Sequence, residues 1–309
     1  MVGRHRPKPY PREPRPPHLA DRRRGRARRR RCDARRGRRD ARRPRARGRG
    51  RGVVAHAEVE EERRAVELYT EGRRDEAGAI FARFDSLEAR VGAAFAAWPD
   101  TLPRLRPLPE RRAVVRLHEG LALAALGEDR QAREAFYFAR QLEPDTPYAV
   151  RADDFLHPRF VPGLPIFIPT APYPERLRAL APAEQERELA RDRSVEGLLR
   201  YGATLQRLGR PVSAQQVFDE AAERAPDDPE VLTAAAVARF DKSEPAEAFS
   251  RLGPLTRRFP GAQTVRFHLG ILLLWSGELE QAKAQLEQAR GLGPQTRLGR
   301  EAERFLERL

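Results

Sequence analysis

Small and apolar residues recur at the same offsets in three stretches of the chain, and each stretch ends at a proline. Among the prolines, Pro226, Pro260 and Pro294 are spaced by 34 residues. A fixed period of this length predicts stacked units of two helices joined by a turn. The three sets of matching positions are Gly120, Gly127, Ala132, Phe136, Ala139 and Pro144; Gly202, Gly209, Ala214, Phe218, Ala221 and Pro226; Gly270, Gly277, Ala282, Leu286, Ala289 and Pro294.

The residue types at these offsets suit a helix–turn–helix unit. Small residues such as Gly202 and Ala214 allow the two helices to approach closely, and Phe218 fills the space between layers. Glycine after the first helix, as at Gly209, supplies a left-handed stop. Proline, as at Pro226, ends the second helix because it cannot continue the backbone hydrogen bonding.

Two further stretches match the pattern less completely. The stretch ending at Pro260 has Ala236 and Ser243 in place of the glycines and keeps Ala248 and Leu252. The first stretch has Gly72, Ala77 and Phe81 in register but no terminal proline. The pattern thus predicts five units, near 58–91, 113–146, 195–228, 229–262 and 263–296. A closing helix, Leu298–Leu309, is predicted to follow them, with Phe305 and Leu309 on its inner side.

These motifs resemble the tetratricopeptide repeat family over roughly 58–146 and 195–296. The sequence lacks the family's tryptophan near the start of the first helix, where Arg266 and Leu198 stand in two units. The resemblance implies an all-α solenoid of helix–turn–helix units and a protein–protein interaction scaffold or adaptor, not an enzyme. It predicts N-terminal repeats over 53–156 and C-terminal repeats plus the closing helix over 183–309.

A proline-rich apolar insertion, 157–182, separates the two sets of repeats. Proline at this density prevents helix formation and predicts an extended chain. We expect the insertion to lie against the repeats, since apolar residues are seldom left in water. A flexible linker and a segment that occupies the protein's own binding groove are the alternatives. The residues concerned are Pro158, Phe160, Val161, Pro162, Leu164, Pro165, Ile166, Phe167, Ile168, Pro169, Pro172, Tyr173 and Pro174.

The resemblance also implies a ligand face, because in this family the first helix of each unit lines the concave surface. An apolar, aromatic patch there would suit a helix or an extended peptide. The closing helix or the insertion could instead cover it. Lys and Asn are absent from these positions, which argues against recognition of a terminal carboxylate. The predicted concave residues are Leu199, Ala203, Gln206, Arg207, Thr233, Val237, Phe240, Phe267, Ile271, Leu274 and Trp275.

Charge is concentrated in residues 1–52, which hold 23 Lys and Arg against four acidic residues. This local net charge of +19 leaves −4 for residues 53–309. With almost nothing apolar to bury, the basic tail is predicted to be disordered. A nucleic-acid-associated protein that contacts phosphates through the tail is the alternative function. Only Tyr10 could stack on bases, however, which favours an inert tail or a translation start at Val53 or Val54 over nucleic-acid contact.

Catalytic and cofactor motifs are absent from the sequence, so we predict no catalytic residue, cofactor or metal. Asp153, Asp154 and His157 have a spacing that could suit a metal, but His157 precedes Pro158 at a helix end and needs no ligand there. His268 is expected to be partly buried and hydrogen-bonded. No apolar stretch is long enough to cross a membrane. We therefore expect a cytoplasmic protein that binds an unidentified protein or peptide, with nucleic acid contacted through the tail only.

Overall fold

The chain folds into consecutive α-helices; a computed structural model describes residues 50–309, and no β-strand occurs in that range. The all-α class predicted from the sequence is confirmed. The N-terminal helices are α1 (Gly50–Thr70), α2 (Arg74–Phe81), α3 (Leu87–Ala96), α4 (Thr101–Leu105), α5 (Ala113–Ala125), α6 (Asp129–Leu142) and α7 (Pro147–Leu156). The later helices are α8 (Glu175–Arg178), α9 (Pro182–Leu189), α10 (Val195–Arg207), α11 (Pro211–Arg224), α12 (Pro229–Val237), α13 (Ala246–Arg258), α14 (Gln263–Trp275), α15 (Leu279–Leu292) and α16 (Arg297–Leu306).

Glycine and phenylalanine meet where the two helices of a unit cross. A Cβ atom built on Gly120 of α5 would lie 2.5 Å from the ring of Phe136 on α6, and Gly202 and Phe218 are related in the same way. The turns that follow the first helices need a left-handed residue, which glycine adopts without steric cost. Those turn glycines, with φ between 70° and 83°, are Gly72, Gly127, Gly209 and Gly277.

The unit ending at Pro260 differs from its neighbours because it lacks these glycines. Helix α12 ends at Val237, whereas α10 and α14 each run for 13 residues. A loop then leads to Ala246 and carries the buried residues Phe240 and Lys242. Without a glycine to make the tight left-handed turn, the helix stops early and the loop becomes long enough to insert side chains into the core.

The N-terminal part contains more helix than the sequence pattern predicted. Helix α1 begins at Gly50, three residues inside the tail predicted over 1–52; the rest of that tail lies outside the described residues. The short helices α3 and α4 fill the gap between the two predicted units. Their apolar residues form a cluster with Val114 and Val115 of α5.

The closing helix ends earlier than predicted. Leu298 and Ala302 are buried on its inner side and Phe305 is partly buried, but Leu309 follows the helix end and is 36% exposed. The prediction of an inward Leu309 was therefore wrong. Charged residues on the other side of this strongly amphipathic helix face solvent, which ends the stack of repeats with a polar surface.

Residues 157–174 contain no helix and are named the strap. The predicted insertion extended to residue 182, but α8 occupies 175–178 and α9 starts at Pro182. The largest apolar core of the described residues contains Phe167 of the strap together with side chains from α10 to α14. Residues 50–309 form one compact unit, and the strap belongs to its core.

Candidate peptide-binding groove

Helices α10, α12 and α14, the first helices of the C-terminal units, lie side by side. Their common surface, named the inner face, carries the residues that the family resemblance assigned to a ligand face. The strap lies along this surface. It contacts the C-terminal ends of the helices first, where Val161 N–H donates to the carbonyl of Trp275 over 3.4 Å. It reaches their N-terminal ends at Thr170, which contacts Glu230 near the start of α12.

Phe167 is the central apolar contact of the strap. Its side chain is only 1% exposed and lies in the core beside Leu198, Leu199 and Ala203. The ring stacks on His268 with a centroid distance of 4.7 Å and meets the edge of Phe218 at 5.5 Å. Burial of a phenylalanine removes a large apolar area from water. The strap is therefore joined to the inner face by a core contact.

Three side chains of the inner face accept hydrogen bonds from the strap backbone. Phe167 N–H donates to Oε1 of Gln206 over 2.8 Å, and Ile168 N–H donates to Nε2 of His268 over 2.9 Å. Thr170 donates through both N–H and Oγ1 to the carboxylate of Glu230, each over 2.6 Å. A backbone N–H buried outside a helix needs such a partner. The acceptors come from three different helices, so the inner face as a whole fits an extended chain.

The imidazole of His268 is neutral in its place between the inner face and the strap. Nδ1 lies 2.8 Å from the carbonyl of Thr264, which can only accept, so Nδ1 carries the proton and Nε2 is the acceptor for Ile168. Full burial lowers the pKa of His268 from 6.5 to about 4. Neutral imidazole is thus part of the strap's binding site.

This pKa predicts an acid-dependent loss of stability. Because the folded pKa lies below the unfolded value, the unfolded chain takes up the proton first, and stability falls as pH drops from 6.5 towards 4. The loss should reach about 3 kcal/mol. Urea unfolding at several pH values measures it, with His268→Gln as the matched variant that cannot titrate. Parallel stability curves for the two proteins would contradict the assignment of this loss to His268.

An ion-pair network fixes the start of the strap. Asp154, on the last turn of α7, pairs with the fully buried Nζ of Lys242 over 2.5 Å and accepts the N–H of Gly163 over 2.8 Å. Asp153 lies 3.1 Å from Arg140 Nε and 3.5 Å from His157 Nε2. Burial raises the pKa of Asp153, and the charge of Arg140 opposes that rise.

The ion-pair network disfavours a metal ion at Asp153, Asp154 and His157. The positive charges that face these carboxylates are the guanidinium of Arg140 and the ammonium of Lys242, which already neutralise them. Within residues 50–309 no group of three His, Cys, Asp or Glu side chains is placed to hold a metal ion. Asp154 instead links the strap, through the N–H of Gly163, to Lys242 in the loop after α12.

The far end of the strap is fixed by contacts with α10 and α16. The carbonyl of Pro169 accepts from Arg297 Nη1 over 3.0 Å. Tyr173 is buried, its hydroxyl donates to the carbonyl of Arg200 over 2.8 Å, and the guanidinium of Arg207 lies 4.7 Å from the centre of its ring. Both ends are therefore tied to the repeats, which keeps the strap beside the inner face.

Most of the residues predicted to bind a partner are covered. Leu199 and Phe240 lie in the core that contains Phe167. A second core contains Phe267, Ile271 and Leu298 of α16, and Ile168 of the strap packs against this core. Arg207 is exposed, and Leu274 and Trp275 are partly exposed. The strap and the closing helix thus cover the apolar patch.

Part of the groove stays open beside the strap. A cavity of about 440 Å³ lies between α7, the strap and the C-terminal ends of α10, α12 and α14. Its wall is mostly apolar, and its polar groups are Arg151, Asp154, Gln206 and Arg207. Its apolar lining includes Leu164, Ile166, Val237, Phe240 and Trp275.

Sequence reasoning did not single out Glu230, His268 or Lys242 as groove residues. Lysine is rare in this chain, with Lys8, Lys242 and Lys283 the only three, so an isolated lysine in a degenerate unit was a usable signal. His268 was expected to be partly buried; its side chain is fully buried. Glu230 carries no distinguishing signal in its sequence context.

The remaining structural positions of the repeats occupy the helix crossings and turns. Ala132, Ala214 and Ala282 are buried in the second helices, and Gly270 faces Leu286. Pro144, Pro226 and Pro294 each stand two residues after the end of the second helix. Among the helices of the described range, none is long and apolar enough to span a membrane.

Residues 195–238 match the family model described as tetratricopeptide repeat, and this range covers α10, α11 and α12. Among solved structures, the chain is similar to a crystal structure at 2.39 Å of a tetratricopeptide repeat protein from Parabacteroides merdae ATCC 43184, with 12% identity and a TM-score of 0.33. That similarity covers 82% of this chain and 99% of the other. No curated protein matches the sequence. The match over residues 195–238 shows a tetratricopeptide repeat in that part of the chain, within the run of helix–turn–helix units described above.

Proposed function

We propose that this protein is an interaction scaffold whose inner face binds an extended peptide segment of a partner protein. Repeats of this family generally mediate protein–protein interactions. The observation that carries the proposal is the capture of strap backbone N–H groups by Gln206, His268 and Glu230. The strap is an internal ligand that indicates what the groove can hold.

The chemistry of the groove favours an extended ligand over a helical one. A helix uses its interior N–H groups in its own hydrogen bonds, whereas an extended chain has them free. Three acceptors on one face therefore suit an extended segment. Without an occupant, the imidazole of His268 and the apolar residues beneath the strap would be left without these partners, which is costly.

The same observations favour binding over catalysis. The polar side chains Gln206, His268 and Glu230 accept backbone hydrogen bonds, and Asp153 and Asp154 are paired with Arg140 and Lys242. The nucleic-acid alternative depends on the basic tail, nearly all of which lies outside the described residues, and no contact within residues 50–309 favours it. A cytoplasmic location stays a prediction from the sequence.

A chain with an empty groove tests the proposal. In this open variant, residues 158–170 are replaced by a Gly-Ser linker of equal length, and a labelled peptide with the sequence of residues 158–172 is added. Fluorescence anisotropy should show binding to the open variant at least about 10-fold tighter than to the unaltered protein, where the tethered strap competes at an effective concentration of order millimolar.

Controls separate loss of binding from loss of folding. The open variant must keep its helical circular dichroism and a cooperative unfolding transition; if it does not, Phe167→Ala in the full chain serves as a milder opening. Gln206→Ala with Glu230→Ala in the open variant should weaken peptide binding, because both acceptors are removed. A folded open variant that does not bind the peptide would overturn the proposal.

A further inference from the structure

We infer that the inner face binds its occupant in one fixed register. In that register the partner segment has an aromatic residue, then a residue with a free amide N–H, and a hydroxyl residue three positions after the aromatic one. This signature is that of Phe167, Ile168 and Thr170. The inference rests on the proposed function, and it adds which chemistry of a partner the groove selects. A partner with this signature competes with the strap for the same surface.

The aromatic position is set by the shape of the site beneath Phe167. The ring is sandwiched between the imidazole of His268, which is nearly parallel to it at 21°, and the edge of Phe218 at 74°. Aromatic rings gain attraction in both arrangements beyond the burial of their area. An aliphatic side chain loses both contacts and fills less of the space, so the site selects a flat ring.

The residue at the position of Ile168 is selected through its backbone N–H. His268 offers one acceptor, Nε2, and it accepts the N–H of Ile168. A proline here has no N–H to donate and would leave a fully buried imidazole nitrogen unpaired. The strap is rich in proline, yet residues 166–168 contain none, and two of the three N–H groups in that run are bound.

The residue at the position of Thr170 is selected by charge and hydrogen bonding. Both oxygens of Glu230 are used, one by the N–H and one by the hydroxyl of Thr170. Hydrogen bonds to an ionised carboxylate are stronger than neutral ones. An acidic side chain at this position would be repelled by Glu230, and an apolar one would leave an oxygen without its donor. Threonine or serine fits both requirements.

The residue between them adds a backbone contact. The carbonyl of Pro169 accepts a hydrogen bond from Arg297 on the closing helix, so this residue is also bound through its backbone. Consecutive residues 167–170 are thus each held by a different side chain of α10, α14, α16 and α12. A shift of the peptide by one residue would misplace all four contacts, which is why the register is fixed.

Methylated peptides test the register directly. The parent peptide has the sequence of residues 160–171; one derivative carries an N-methyl group at the position of Ile168 and the other at the position of Ile166. The N–H of Ile166 has no hydrogen-bond partner within residues 50–309, so the second derivative is a matched control. Binding to the open variant is measured by anisotropy, with a Thr170→Val peptide as a third derivative.

The expected result is a loss of affinity of at least about 10-fold for methylation at Ile168, and less than about 3-fold for methylation at Ile166. The Thr170→Val peptide should also bind more weakly than the parent. Equal losses for the two methylated peptides would overturn the fixed register while leaving peptide binding by the groove intact. If the folded open variant binds none of the peptides, the proposed function itself fails.

Discussion

Replacing Phe167 with alanine should lower the free energy of unfolding by about 3–5 kcal/mol, the range found for truncating a fully buried phenylalanine. The residue lies outside every helix, yet its ring contacts Phe218 and His268 in the largest core of the described residues. Its removal leaves a cavity among groups contributed by α10, α11 and α14. Urea unfolding followed by circular dichroism measures the change.

Val161→Ala is the matched control for this prediction. It removes apolar atoms from the same strap at a position that is 37% exposed, so the expected loss is below about 0.5 kcal/mol. If the strap were a flexible linker, the two substitutions would have equally small effects. A loss below about 1 kcal/mol for Phe167→Ala would contradict the burial of the strap in the groove.

Lys242→Met is expected to lower stability by about 3–5 kcal/mol, because it leaves the carboxylate of Asp154 largely buried without its main counter-charge. Lys242 is 2% exposed and its Nζ lies 2.5 Å from Asp154 Oδ1. Arg151 approaches the other oxygen only from the exposed side, at 3.3 Å. Equilibrium unfolding in urea gives the size of the effect.

The double variant Lys242→Met with Asp154→Asn shows whether the unpaired charge is the cause. The amide of asparagine is neutral and still offers an oxygen to the N–H of Gly163, so this variant should recover most of the lost stability. The interaction energy from the double-mutant cycle isolates the pair. A double variant as unstable as Lys242→Met alone would show that packing of the lysine stem, and not charge, is what matters.

The repeat framework could be predicted from the sequence because its requirements are local. Gly120 and Gly202 lie beneath phenyl rings, and Gly209 and Gly277 occupy left-handed turns where other residues are strained. These demands recur at a fixed period and leave a readable pattern. The helices α3 and α4 were missed because they are short and carry no turn glycine of this kind.

The position of the strap could not be decided from the sequence. Its prolines predicted an extended chain, but an extended segment has no periodicity that indicates which surface it contacts. The acceptors that hold it come from residues such as Gln206 and Glu230, far away in sequence. The ion pair of Asp154 was equally hidden in the sequence, since its partner Lys242 lies 88 residues later.

Hydrogen exchange at the strap amides tests most directly the central claim that the inner face holds the strap as it would hold a peptide ligand. The claim predicts that the N–H groups of Phe167 and Ile168 exchange at least about 100-fold more slowly than that of Ile166, although none of the three lies in a helix. NMR spectroscopy in deuterated water resolves the individual rates. Equal, unprotected exchange at all three positions would show that the strap is not bound in the groove.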